Sequence, residues 1–221
     1  MKRILIKNCR IVNEGKIYES DILVEGKFIS KIESSIKINK LPCKILDAEG
    51  NYLIPGIIDD QVHFREPGLT HKGNIFSESR AAVAGGITSY FEMPNTVPNT
   101  TTIQRLDEKF EIAKNTSLAN YSFMFGGTNS NLSEILKNDI NDIPAVKLFL
   151  GSSTGNMLVD NLKSIENIFQ NVNIPIAVHC EDEKTIKNNL INYYEKYGEE
   201  IPIQFHPEIR SEEACYISSS M

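Results

Sequence analysis

Apolar and polar side chains alternate along the first fifty residues, as in Ile4 and Ile6 and again in Ile22 and Val24. A period of two is typical of strands that bury one face, and the Glu25-Gly26-Lys27 stretch predicts a turn between two of them. We therefore predict that residues 1–51 form a small antiparallel sheet and a first structural unit.

From Tyr52 onward the pattern changes to short apolar runs separated by segments with helical spacing. Nearly continuous apolar strands are typical of a parallel sheet that is covered on both faces. The alternation favours an α/β fold, either a doubly wound sheet or a (β/α)₈ barrel, and periodicity leaves both open. The predicted strands are Leu53–Asp59, Ile87–Met93, Tyr121–Gly126, Ala145–Gly151 and Ile174–His179, and the predicted helices are Ser77–Ala84, Ile103–Lys114, Leu132–Asn138, Asn161–Gln170 and Glu183–Tyr197.

Composition narrows the class of function. The chain has 221 residues, 41% of them hydrophobic, and a net charge of −6, which argues against a nucleic acid or an anionic membrane as partner. The four cysteines form no CxxC pair, so we expect neither a disulfide framework nor a zinc ribbon and expect a cytoplasmic location. Because no segment reaches about 20 consecutive apolar residues, we expect a soluble protein. The acidic charge balance favours a small molecule as its partner.

The first predicted strand ends in a polar cluster. Side chains alternate along a strand, so Asp59, Gln61, His63 and Arg65 are expected to share one face. Taken alone, His63 could be a hydrogen-bonded histidine and Arg65 a surface ion-pair partner. Together they place an imidazole and a guanidinium in the same space.

Three later strand ends carry further polar residues. Asn95 lies in a Pro-rich and Asn-rich stretch that could be only an ordered loop. Lys147 interrupts an apolar strand, where it either snorkels, forms an ion pair or has a pKa depressed by burial. His179 closes the last predicted strand and on its own could be a capped core residue, whereas Cys180 should face the other side and pack.

The motifs at these strand ends resemble those of a known superfamily. Residues 55–68 resemble the first-strand signature of amidohydrolases, and His63-Phe-Arg-Glu-Pro-Gly68, Met93-Pro-Asn-Thr96 and His206-Pro-Glu-Ile-Arg210 are similar to dihydroorotases in particular. The resemblance implies a TIM-type (β/α)₈ metal-dependent hydrolase barrel, of which residues 52–221 would supply five to six units. Residues 1–51 would then be part of a composite β-sandwich.

The resemblance also implies a site and an activity. His63, His179 and an N-carboxylated Lys147 would bind one or two zinc ions, while Arg65 and Asn95 would hold the carboxylate of the substrate. The implied reaction interconverts dihydroorotate and N-carbamoyl-L-aspartate. Dihydropyrimidinases or hydantoinases and allantoinases remain alternatives, since they share the lysine and the last histidine.

One residue departs from the pattern of the superfamily. Gln61 stands where a first metal-binding histidine belongs, and a neutral amide is a poor zinc ligand. A non-catalytic, dihydroorotase-like scaffold protein is therefore a further alternative. The resemblance also implies a homo-oligomer and a catalytic aspartate beyond Met221. We accordingly expect a C-terminally truncated chain with no general acid or base of its own and little activity alone.

Overall fold

The computed structural model describes residues 2–38, 42–137, 142–151 and 157–221. These residues divide into two compact units, one ending at Gly56 and the other beginning at Ile57. In the part of the chain that is described, no helix is both long and apolar enough to cross a bilayer.

The first unit is a five-stranded sheet. Its strands are β1 (Arg3–Asn13), β2 (Lys16–Glu25), β3 (Phe28–Glu33), β4 (Lys44–Asp47) and β5 (Tyr52–Leu53). Strands β1, β2 and β3 are antiparallel neighbours, whereas β4 and β5 both pair with β1 in parallel. The predicted antiparallel sheet is therefore confirmed for β1 to β3, and the parallel pairing of β4 and β5 was not predicted, because side-chain alternation reveals which face is buried but not which strands pair.

The second unit alternates strands and helices along the chain. Its strands are β6 (Ile57–Val62), β7 (Ile87–Glu92), β8 (Asn120–Phe123), β9 (Phe125–Gly126), β10 (Val146–Phe149) and β11 (Ile176–His179). Its helices are α1 (Ile75–Ala84), α2 (Ile103–Thr116), α3 (Leu132–Ile135), α4 (Leu162–Asn171), α5 (Glu183–Tyr197), α6 (His206–Ile209) and α7 (Glu212–Ser219). The last residue of the third predicted helix, Asn138, lies outside the described residues.

All strand pairs of the second unit are parallel and follow the order of the chain. One sheet has the order β6-β7-β8 and the other the order β9-β10-β11. Met124 joins them: its N–H donates to Glu92 O at 3.0 Å, and the next N–H, of Phe125, donates to Ala145 O at 3.1 Å. The predicted α/β class is confirmed, and the described strands do not close into a barrel.

The first predicted strand of this unit is placed differently in the structure. Leu53–Asp59 corresponds to two elements, because β5 ends at Leu53 and β6 begins only at Ile57. Between them lies Pro55-Gly56, where the proline has no N–H for a ladder and the glycine weakens a strand. Strand β6 then continues to Val62, so that His63 is the first residue after it.

Aromatic and aliphatic side chains form the core of the second unit. Tyr90 and Phe123 are fully buried there, and the ring centroids of Phe64 and Tyr90 lie 4.5 Å apart. Phe64 thus anchors the chain immediately after β6, between the two candidate site residues His63 and Arg65. Packing of this kind fixes the loop that follows the strand.

Candidate active site at the carboxyl ends of the parallel strands

The predicted site residues lie at or near the carboxyl ends of four parallel strands. His63 and Arg65 follow β6, Asn95 follows β7, Lys147 lies within β10 and His179 ends β11. Val62 pairs with Glu92 in one sheet, and Phe149 pairs with His179 in the other. Within each sheet the strand ends therefore line one edge, which is where α/β enzymes carry their sites.

His63 is at the centre of one group of polar side chains. Partial burial lowers the pKa of its imidazole, and the positive charges of Arg65, Lys147 and Lys109 lower that pKa further. A hydrogen bond with the Asn95 side chain acts in the opposite direction. The structure thus brings His63, Arg65, Asn95 and Lys147 into one electrostatic neighbourhood, in which the imidazole is neutral at neutral pH and has a lone pair to offer.

Arg65 has an unusual backbone and an unpaired side chain. Its φ of 73° lies in the left-handed region, and its N–H donates to Glu92 Oε1 at 3.1 Å. The predicted alternation of side chains therefore fails at Arg65, because the chain leaves the extended conformation after Val62. Among the described residues, its guanidinium has no hydrogen bond or ion pair, so it remains available to an anion.

The loops after β6 and β7 approach each other closely. The N–H of Val97 donates to Pro67 O at 3.1 Å, and Gly68 has a φ of 85°. A Cβ atom at Gly68 would lie 1.9 Å from Val97 O, so only glycine permits this approach. Asn95 is 6% exposed within the second loop. Both residues predicted to bind a carboxylate are therefore held on loops that brace each other.

Lys147 is a buried lysine without a counter-ion. The residue is 3% exposed, and burial lowers the pKa of its ammonium group. Within the described part of the chain it forms no hydrogen bond or ion pair, and its Nζ lies 5.2 Å from the Phe149 ring centroid. Its partners in the neighbouring strands are two small residues, Gly126 and Ala177.

His179 lies on the same face of the sheet but is hydrogen-bonded elsewhere. Its ring centroid is 6.4 Å from that of Phe149, the ring that also contacts Lys147. Its Nε2 is 2.8 Å from Glu181 Oε2, and Arg210 Nε donates to Glu181 Oε1 at 2.9 Å. His179 is therefore near Lys147 while its ring nitrogen is held by Glu181.

No three His, Cys, Asp or Glu side chains of the described residues are grouped so that they could hold a metal ion. Gln61 is exposed near the end of β6, and its neutral amide is a poor metal ligand. A site at this edge therefore depends on Lys147 as a donor together with the two histidines.

The ion pair of Arg210 and Glu181 should make folding stability depend on pH. Hydrogen bonds from Arg210 are the main reason that the pKa of Glu181 lies below its ordinary value of 4.5. A depressed carboxyl pKa stabilises the folded state above the unfolded pKa, and this contribution is lost as the pH falls below about 4.5. Arg210→Met should therefore destabilise the protein at pH 7 and lose much of that effect at about pH 3.

Urea denaturation at the two pH values measures this difference. Arg105→Met is the matched control, because its partner Glu108 lies on the surface and such pairs contribute little. A penalty for Arg210→Met that is the same at both pH values would contradict the role given to the ion pair.

Two charged contacts near the site were not predicted from the sequence. Lys109 and Glu92 form an ion pair in which both side chains are buried. The signal was present, since Glu92 ends an apolar strand and Lys109 lies on the same helical face as Leu106 and Ala113. The pair of Arg210 and Glu181 joins residues 29 apart and has no comparable local signal.

Comparison with known proteins gives relatives by sequence. No protein-family model matches the chain. A dihydroorotase from Methanosarcina acetivorans is 32% identical over 187 residues, covering 83% of this chain and 40% of the relative. One from Staphylococcus epidermidis is 30% identical over 210 residues, or 93% of this chain and 48% of the relative. One from Carboxydothermus hydrogenoformans is 47% identical over 110 residues, or 48% of this chain and 25% of the relative.

Solved structures give relatives by fold. The L-hydantoinase (dihydropyrimidinase) of Arthrobacter aurescens has a TM-score of 0.90 at 27% identity, with all of this chain and 49% of the other covered. The D-hydantoinase of a Thermus species has a TM-score of 0.80 at 23% identity, covering 98% and 48% of the two chains. The chain thus spans about half the length, or less, of the proteins that it matches.

The chain is thus similar in sequence to dihydroorotases and in fold to a hydantoinase (dihydropyrimidinase). Its sequence is similar to dihydroorotases across species, and the resemblance predicted from the strand-end motifs is confirmed.

Proposed function

We propose that this chain is part of a dihydroorotase, which interconverts dihydroorotate and N-carbamoyl-L-aspartate. The observation that carries the proposal is the unpaired Arg65 guanidinium, which lies in the same electrostatic neighbourhood as Asn95 and a neutral His63. A planar guanidinium binds a carboxylate through two parallel hydrogen bonds, and both dihydroorotate and N-carbamoyl-L-aspartate carry a carboxylate. Similarity to dihydroorotases over most of the chain supports the same assignment.

We further propose that the second unit begins a TIM-type (β/α)₈ barrel and that residues 1–51 are part of a composite β-sandwich. Parallel strands that pair in chain order, without a reversal, suit a barrel better than a doubly wound sheet. The likeness to hydantoinase structures supports this fold.

The donor chemistry of this edge fits zinc. The pKa of the His63 imidazole is lowered, and Lys147 is a buried lysine without a counter-ion among the described residues, whose pKa burial also lowers. The neutral Nζ of Lys147 can form an N–C bond with carbon dioxide and release one proton to solvent, which yields an anionic carbamate. We propose His63, the carboxylated Lys147 and His179 as ligands; His179 would exchange its contact with Glu181 for the metal.

Each protein group then has a distinct part in the reaction. Arg65 binds the substrate carboxylate, and Asn95 orients both that carboxylate and the His63 ring. When bound, zinc would lower the pKa of water for attack on the amide carbonyl and would polarise that carbonyl. We assign no general acid or base to the 221 residues.

Two alternatives have observations in their favour. The TM-score of 0.90 with a hydantoinase favours an uncharged cyclic amide as substrate. The glutamine at position 61 favours a non-catalytic scaffold, because it removes a potential metal ligand.

Turnover by the full-length protein, purified without chelators, tests these alternatives. We expect kcat/KM for N-carbamoyl-L-aspartate to exceed that for dihydrouracil by about 100-fold or more, because dihydrouracil lacks the carboxylate for Arg65. Faster hydrolysis of dihydrouracil or hydantoin would make the protein a hydantoinase. No turnover of any of them, together with no bound zinc, would favour the scaffold.

A further inference from the structure

Lys109 of α2 and Glu92 at the end of β7 form a buried ion pair beside the candidate site. Lys109 is 0% exposed and Glu92 is 1% exposed, and the Lys109 ammonium contacts the Glu92 carboxylate. The same ammonium donates to Met93 O at 2.9 Å and lies 5.0 Å from the centroid of the Phe123 ring. Burying two charges is costly, and well-packed apolar residues would often stabilise a core as well. The pair therefore calls for a reason other than stability.

Its contacts lead to both loops that carry the proposed carboxylate-binding residues. Through Met93 O, Lys109 holds the backbone two residues before Asn95. Through its other oxygen, Oε1, Glu92 accepts the N–H of Arg65 at 3.1 Å. Lys109 thus contacts the loop after β7 through Met93 O, and it is linked to the loop after β6 through the Glu92 carboxylate.

The contact with Arg65 matters because of the conformation there. A φ of 73° is unfavourable for a residue with a Cβ atom, so the surroundings must stabilise it. The hydrogen bond to Glu92 supplies part of that stabilisation. Glu92 is also a potential competitor of the substrate, because a released carboxylate could pair with the unpaired guanidinium of Arg65.

We infer that Lys109 is a positioning residue: it retains the Glu92 carboxylate in the core, which fixes the Arg65 backbone and leaves the Arg65 guanidinium free for an anionic substrate. The inference rests on the proposed function, in which Arg65 and Asn95 bind the substrate carboxylate. It adds to that function a residue, Lys109, that affects the affinity for the substrate without contacting the substrate.

Steady-state kinetics of the full-length protein with N-carbamoyl-L-aspartate test the inference. Lys109→Met should raise KM about tenfold or more and change kcat by less than about threefold, because misplacement of a binding group weakens binding before chemistry. Adding Glu92→Gln to Lys109→Met should restore most of the affinity, since the amide oxygen can still accept the Arg65 N–H and no competing carboxylate remains. A role confined to stability predicts no such rescue of KM.

Leu106→Ala is the matched control. Leu106 lies three residues earlier on α2 and is 4% exposed, so its truncation destabilises the same helix, while its apolar side chain has no hydrogen bond or ion pair to either loop that could be lost. Its KM should equal that of the wild type. An equal rise of KM in Leu106→Ala, an unchanged KM in folded Lys109→Met, or no recovery in the double variant would overturn the inference. If Lys109→Met does not fold, Glu92→Gln alone should raise KM, because Arg65 and Lys109 contact different oxygens of Glu92 and a glutamine side chain has only one oxygen.

Amide hydrogen exchange separates this inference from the proposed function. Lys109→Met should speed exchange at the Arg65 N–H relative to that at Ile165, and Leu106→Ala should not. Failure of the wild type to bind N-carbamoyl-L-aspartate would refute the proposed function alone. Unchanged relative exchange at Arg65 would refute the positioning role, whatever the substrate.

Discussion

Replacing Lys147 with methionine is expected to remove bound metal and to lower turnover by about three orders of magnitude, because metal catalysis supplies several kcal/mol of transition-state stabilisation. The reason lies in the position of the side chain. Lys147 is 3% exposed and has no counter-ion among the described residues, and burial already lowers its pKa. Methionine fills a similar volume but cannot react with carbon dioxide, so the fold should remain while the proposed anionic ligand is lost.

Zinc content and turnover of the full-length protein, measured together, check this prediction. Lys147→Arg should fail in the same way, because a guanidinium stays protonated and cannot form the carbamate. Lys163→Met is the control, since Lys163 is exposed on α4 and should leave both quantities unchanged. Full metal content in folded Lys147→Met would show that Lys147 is a packed lysine with no part in a metal site.

Most of the helices and of the parallel strands could be predicted because their patterns are local. The predicted helix Glu183–Tyr197 has the same bounds in the structure, and the predicted strand Ile87–Met93 differs from β7 by one residue. In both segments, the spacing of apolar residues reports directly on which side is buried. The errors occur where pairing is decided by distant residues, as in β4 and β5, which both lie parallel to β1.

The sequence predicts which residues form the candidate site better than it predicts their conformation. The motifs identify His63, Asn95 and Lys147 as residues of interest, and the structure brings them near one another. No sequence pattern predicts the positive φ of Arg65, since arginine rarely adopts one. The contact of His179 with Glu181 was equally unforeseen, because Glu181 is fixed by Arg210, which lies 29 residues further along the chain.

The prediction for Arg65 concerns its affinity for the substrate carboxylate, and it distinguishes a dihydroorotase from a hydantoinase. Arg65→Met should lower kcat/KM for N-carbamoyl-L-aspartate by roughly 100-fold to 10,000-fold, because two hydrogen bonds between charged groups contribute about 1.5–3 kcal/mol each. Most of the loss should be in KM if the guanidinium binds the carboxylate equally in the ground and transition states. Any turnover of uncharged dihydrouracil should be unaffected, since that substrate has no carboxylate.

Arg65→Lys is the control for this experiment, because the backbone at position 65 imposes the same penalty on arginine, lysine and methionine. Differences between the two variants therefore report on the side chain alone. Lysine keeps the charge but not the two parallel hydrogen bonds, so it should recover part of the affinity and not all of it. If both variants lose turnover of charged and uncharged substrates alike, Arg65 supports the loop rather than the carboxylate, and the case for a dihydroorotase over a hydantoinase loses its main physical support.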